Sequence, residues 1–219
     1  MKSTFSLPLH LIAGLALLLV SATLFHTIAS AWGPGATLAL RDVQLAHWLH
    51  ARAAEPWTSL MLAVTHLHSV AGIAMLTLLL AWRMWQRQQH YWLLTLMLCV
   101  PPGMLLNVLL KHLYQRQRPS FDDPLVSLAT YSFPSGHTLT ATVFYGVLAC
   151  YLYMQSCGAL RRSAIVLGAA LMVALVAFSR LYLGAHYLSD VLGAITEGLA
   201  WLAICVTGVS HLRRRRQAP

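Results

Sequence analysis

The stretch SAIVLGAALMVALVAFSRLYLGAHYLSD, residues 163–190, decides the fold. It carries no charge before Arg180 and is long enough to cross a hydrocarbon core, which takes about 20 mostly apolar residues. Where the apolar run ends, Arg180, His186 and Asp190 follow in quick succession. Working outward from a span at 163–183, five more stretches of the same kind stand at about 7–29, 57–82, 91–110, 138–157 and 187–210. The expected fold is therefore all-α, an integral-membrane six-helix bundle forming one domain over residues 1–219. No internal repeat or low-complexity linker interrupts it.

Composition supports this reading. Hydrophobic residues make up 58% and charged residues 10%, with a mean hydropathy of +0.64. A soluble domain carries about 25% charged residues, so too few are present to coat a globular surface. The net charge of +9 does not indicate nucleic acid, because the basic residues sit between apolar runs and in the row Arg213, Arg214, Arg215 and Arg216. Such a row beside a membrane helix faces the cytoplasm and anionic lipid. Cys99, Cys150, Cys157 and Cys205 lack zinc-site spacing and read as small apolar residues.

Lysine and arginine placement sets the sidedness. With the N-terminus inside, Lys2, Arg83, Arg87, Arg161, Arg162 and the four terminal arginines, nine of fifteen, lie on the cytoplasmic side. Arg41, Arg52, Lys111, Arg116, Arg118 and Arg180 lie outside. The first run, ending in Ala29-Ser30-Ala31, could also be read as a signal peptide. It exceeds the roughly 7–15 residues of a signal core, which favours a retained helix. Residues 32–56, with Val43, Leu45, His47, Trp48 and Leu49, suit the outer interface. Pro101-Pro102-Gly103 predicts a kink or unwound turn in the third span.

Three polar clusters stand at the outer ends of the later spans: Lys111 with Arg118-Pro119, then Pro134-Ser135-Gly136-His137, then Ser179-Arg180 with His186 and Asp190. A compact bundle brings them to one pocket, and the set suits phosphoryl transfer, in which positioning and charge stabilisation do most of the catalysis. Arg118 and Arg180 offer planar forks for phosphate oxygens and Lys111 a mobile charge. Ser135 and Gly136 stand where a helix begins, with free N–H groups for an anion. His186 and Asp190, four apart, share a face if the last helix starts by His186; Asp190 then orients an imidazole nucleophile. His137 is placed to protonate the leaving oxygen. No metal or other cofactor is needed to neutralise the phosphate.

These clusters resemble, residue by residue over 111–190, the three signature motifs of the type 2 phosphatidic acid phosphatase superfamily. The resemblance implies His186 as nucleophile, Asp190 as its partner, His137 as general acid, and phosphate binding by Lys111, Arg118, Ser135, Gly136 and Arg180. It further implies a phosphohistidine intermediate and a bacterial inner-membrane enzyme whose site faces the periplasm or cell exterior. The spans argue against the family's soluble haloperoxidase branch. The substrate classes implied are undecaprenyl diphosphate, towards which the sidedness leans, phosphatidylglycerol phosphate and phosphatidic acid. A phosphotransferase moving phosphate from a carrier lipid to lipid A would use the same intermediate. A non-catalytic scaffold would not require the complete set, and a metal-dependent hydrolase would lose activity in chelator. The partners expected are a lipid phosphate and the bilayer, and nothing in the sequence specifies an oligomeric state.

Outside the motifs, Glu197 lies within the sixth run, on the face of Asp190 and about 10 Å deeper, and is expected to bond a neighbouring helix. His66 and His68, two apart in the second run, should point to different faces. Asp122 and Asp123 suit a turn or a contact with Arg116.

Overall fold

A computed structural model describes residues 9–33 and 35–217. Lys2 and Leu7, the expected start of the first span, lie outside the described residues. Eight helices are present among those described, and no strand: α1 Leu9–Ser30, α2 Thr37–His50, α3 Trp57–Leu67, α4 Val70–Gln86, α5 His90–Tyr114, α6 Gly136–Gln155, α7 Ala159–Tyr182 and α8 Leu188–Gln217. The protein is an all-α membrane bundle. α1, α5, α7 and α8 are each long and apolar enough to span, and the bent pair α3 and α4 is so when taken together. α6 is less apolar because it sits at the centre, packed against α5, α7 and α8, with Thr138, Thr140 and Thr142 buried inside the protein.

The core joins α4, α5, α6 and α8 through Ile73, Leu96, Val100, Leu139, Val147 and Leu202. Leu78, Leu79, Leu105, Leu109, Leu167 and Leu171 are exposed on the outside, as a lipid-facing surface requires. Bilayer helices gain little from apolar burial alone and rely on close packing of small residues. At Gly198 an added Cβ would stand 2.8 Å from the Thr142 side chain. That contact brings α8 tightly against α6.

Three expectations change. The run 57–82 is not one straight helix: α3 and α4 meet at a 55° bend. Ser69 is extended there and caps the new helix by accepting from the Gly72 N–H at 3.3 Å. His68 therefore lies at the break, not mid-helix, and faces inward while His66 is exposed. Pro101-Pro102-Gly103 does not unwind α5, which runs through. Pro102 has no N–H for the Leu98 carbonyl, but the Trp201 indole of α8 donates to Leu98 O at 3.2 Å and Cys99 O at 3.1 Å. A neighbouring helix thus supplies the donor that proline withholds. Finally, α8 continues past residue 210 to Gln217, and its Arg213 guanidinium lies 5.7 Å over the Tyr91 ring.

Residues 32–56 contain α2, whose Asp42, Ala46 and Leu49 form a buried stripe while Leu40, Val43 and Trp48 are exposed. This amphipathic helix lies against α7 and α8. It reaches the same end of the bundle as the polar clusters.

Candidate active site

The site is built where α5 and α7 end and α6 and α8 begin. α5 closes at Gln115, whose left-handed backbone (φ 48°) bonds to Lys111 O at 2.9 Å. The chain then runs extended, with Ser132 N–H donating to Arg116 O at 2.8 Å. Ser135 N–H donates to Asp190 O at 3.1 Å, which ties the start of α6 to α8. Gly184 takes a positive φ of 64° beside the Phe121 ring, where a Cβ would stand 2.6 Å away. That turn delivers His186.

Lys111, Arg118, Arg180, Gly136, His137 and His186 all line one cavity of about 250 Å³. Lys111 Nζ donates to Tyr131 O at 2.7 Å. Arg118 is braced by Thr130 O and Ala185 O, both at 2.6 Å, and its guanidinium is 3.3 Å from His186 Nε2. Arg180 donates to the Thr65 hydroxyl, leaving its buried Nε without a partner among the described residues. Ser135 departs from expectation: fully buried, its hydroxyl accepts from Thr138 Oγ1 at 3.0 Å and does not line the cavity. Val70, Met104, Val108 and Leu128 form the cavity's apolar side, and Val70 and Val108 are exposed on the lipid-facing surface.

His186 is buried and precedes α8 by two residues, so the shared helix face expected of it and Asp190 is not how they meet. Asp190 Oδ2 instead accepts from the Tyr187 N–H at 2.8 Å, and this turn brings His186 Nδ1 within 3.5 Å of the same oxygen. The ring presents Nε2 to the cavity and Nδ1 to the carboxylate. Burial first, then the charges of Arg118, Arg180 and Lys111, hold His186 well below the ordinary histidine pKa. It is a neutral base at neutral pH. Burial also lowers Arg118 from its ordinary value, with Asp190 opposing the shift.

Sequence reasoning missed Arg116. Its guanidinium donates to Asp190 Oδ1 and Ser189 Oγ, both at 2.6 Å, and to Asp42 Oδ2 at 2.8 Å. It lies between the Trp32 and Tyr187 rings, at 4.7 and 4.5 Å. Asp42 also accepts from the Ser189 N–H at 3.1 Å and from its hydroxyl. Of the two roles expected of Asp122 and Asp123, a turn or a contact with Arg116, the contact does not form; both are exposed, lie in a bend and make no ion pair among the described residues. The spacing of Arg116 and Arg118 was the available signal, since in an extended chain alternate residues belong to one face. Glu197 does bond a neighbouring helix, accepting from Asn107 Nδ2 at 2.9 Å.

The PAP2 superfamily model matches residues 90–214. Phosphatidylglycerophosphatase B of Bacillus subtilis (strain 168) is 32% identical over 165 residues, covering 74% of this chain and 81% of that protein. The crystal structure of a transmembrane PAP2 type phosphatidylglycerolphosphate phosphatase from Bacillus subtilis superposes with a TM-score of 0.78 at 26% identity, over 92% of this chain and 96% of that one. Aquifex aeolicus LpxE shares the fold, with a TM-score of 0.59 at 19% identity over 75% of this chain and 94% of that one. A matched segment that contains Lys111, Arg118, Gly136, His137, Arg180 and His186 of the cavity, in a bundle of this architecture, places the chain in the PAP2 superfamily.

Proposed function

We propose that this enzyme removes the terminal phosphate of a lipid phosphate through a phosphohistidine on His186, at the outer face of a bacterial inner membrane. The observation that carries the proposal is the cavity itself, in which three cations and the imidazoles of His137 and His186 converge while a carboxylate backs His186. Lys111, Arg118 and Arg180 hold the phosphate oxygens, helped by the backbone N–H of Gly136 at the start of α6. Nε2 of His186 attacks phosphorus as the P–O ester bond breaks. His137 gives its proton to the departing oxygen. Water then attacks the phosphohistidine, His137 takes the water's proton, and inorganic phosphate leaves with His186 restored. Asp190 keeps the Nδ1 proton in place throughout.

Of the candidate substrates, phosphatidylglycerol phosphate comes first, because the Bacillus subtilis matches in sequence and in structure bear that activity in their names. Undecaprenyl diphosphate and phosphatidic acid follow. The apolar side of the cavity suits tails reaching it from the lipid. The outward orientation rests on charge: Arg83, Arg87, Arg161, Arg162 and the terminal arginines stand at the helix ends opposite the site.

The test is phosphate release from phosphatidylglycerol phosphate in detergent with EDTA, by wild type and His186→Ala. Release that persists in chelator and vanishes in the variant, with labelled phosphate trapped on the wild-type protein, is expected. Loss of activity in EDTA would overturn the metal-independent route. Label passing to an added lipid acceptor instead of to water would make the enzyme a phosphotransferase.

A further inference from the structure

The phosphate end of the cavity is crowded with N–H donors. Asn107 sits one helical turn along α5 from Lys111, about 6 Å towards the bilayer centre, and lines the same cavity. It takes no part in the chemistry described above. Its Nδ2 donates to Glu197 Oε2 at 2.9 Å. Its Oδ1 has no hydrogen-bond partner among the described residues and lies beside Gly136, 3.3 Å from where a Cβ would stand there. Glu197 is itself buried, and its second oxygen, Oε1, is unpartnered among the described residues.

The pair fixes a polarity. Glu197 Oε2 accepts from the NH₂ group, which directs the carbonyl the other way, towards Gly136 and the cavity. A carbonyl oxygen at the inner end of an anion-binding cavity repels a second phosphate and accepts from an O–H. An acceptor at the cavity wall without a protein partner is open to a donor that a substrate supplies.

We infer that Asn107, oriented by Glu197, forms a subsite for a hydroxyl on the leaving group, next to the scissile phosphate. This deepens the phosphatase reading and rests on it. The chemistry it selects is a phosphorylated polyol headgroup such as phosphoglycerol. A prenyl diphosphate or phosphatidic acid offers no O–H at that position.

The experiment compares kcat/KM for phosphatidylglycerol phosphate and for an analogue whose glycerol hydroxyl beside the scissile phosphate is replaced by hydrogen. Both are read as phosphate release in detergent by wild type, Asn107→Leu and Glu197→Gln. Wild type should favour the hydroxyl substrate by about tenfold. The ratio should fall to near one in Asn107→Leu. It should lie between in Glu197→Gln, because a glutamine amide both donates and accepts and so releases the orientation of Asn107. A wild-type ratio near one overturns the subsite, and so does a ratio that survives both substitutions. If Asn107→Leu slows both substrates equally, the amide serves packing or the attacking water, and the subsite falls. Should Asn107→Leu fail to fold, the near-isosteric Glu197→Gln decides alone, an unchanged ratio overturning the inference. Phosphate release by wild type from both substrates alike removes the subsite and leaves the phosphatase; release from neither removes both.

Discussion

Asp190 and Glu197 stand seven residues apart on α8, both buried, yet their surroundings are opposite. Asp190 is gripped by the Arg116 guanidinium and the Tyr187 N–H and lies 3.5 Å from His186, while Glu197 has a single donor, Asn107. A buried carboxylate can be a fixed charge only where cations and N–H groups surround it. The difference assigns Asp190 to holding a histidine still and Glu197 to turning an amide. The same helix supplies both because its start meets the polar loops, and its middle meets α5.

Replacing Asp190 by Asn tests the fixed-charge half most severely. It should lower kcat by about 10⁴-fold, the scale seen when a histidine loses its orienting carboxylate. A comparable loss in Glu197→Gln would erase the distinction between the two sites. Next comes Arg116→Met, which leaves Asp42 and Asp190 buried without their shared cation. About 3–5 kcal/mol of stability should be lost, read as a drop in thermal midpoint in detergent, with partial recovery in Arg116→Lys. A midpoint within a degree or so of wild type would show that the network does not hold α2 to α8.

The depressed His186 sharpens the comparison through pH. Its folded-state pKa lies below the unfolded value of about 6.5, so under that pH the unfolded chain takes up a proton that the folded one refuses. Stability should therefore fall as pH drops from about 6.5, by up to about 1.4 kcal/mol per pH unit, until the folded pKa is reached. The acid slope should shrink in His186→Gln. An unchanged slope would mean that Asp190 compensates the burial of His186 more fully than the geometry suggests. Trp201→Phe carries the smallest effect, about 0.6–2 kcal/mol for the indole bond across α5 and α8.

Much of the site was legible because charge is conspicuous in apolar sequence. Lys111, Arg118, Arg180, His137 and His186 interrupt or border long runs without charge, and the structure gathers all five around one cavity. Arg116 was equally visible but was read as a candidate partner of the nearby Asp122 or Asp123, since its actual partners Asp42 and Asp190 are both 74 residues away in the chain. The same distance effect hid the continuity of α5. Local rules break a helix at Pro101-Pro102, and only the position of Trp201, about a hundred residues on, restores it. The bend at Ser69 was missed for a different reason. A hydropathy run records that residues 57–82 are apolar and is blind to one serine cap that restarts the helix.

The Trp201 bond also has a bearing on alignment. α5 carries Lys111 and α8 carries Asp190, so the proposed mechanism needs these two rods at one relative height. Sliding either by a single residue would move its group about 1.5 Å, and misplacement of that order can cost a hundredfold in rate. The indole grips α5 where Pro102 leaves the Leu98 carbonyl without its helical donor, and it does so about 16 Å along α8 from Asp190. The paired prolines thereby act as a notch, and Trp201 as the pawl that sets the depth of lysine against carboxylate from outside the reaction centre.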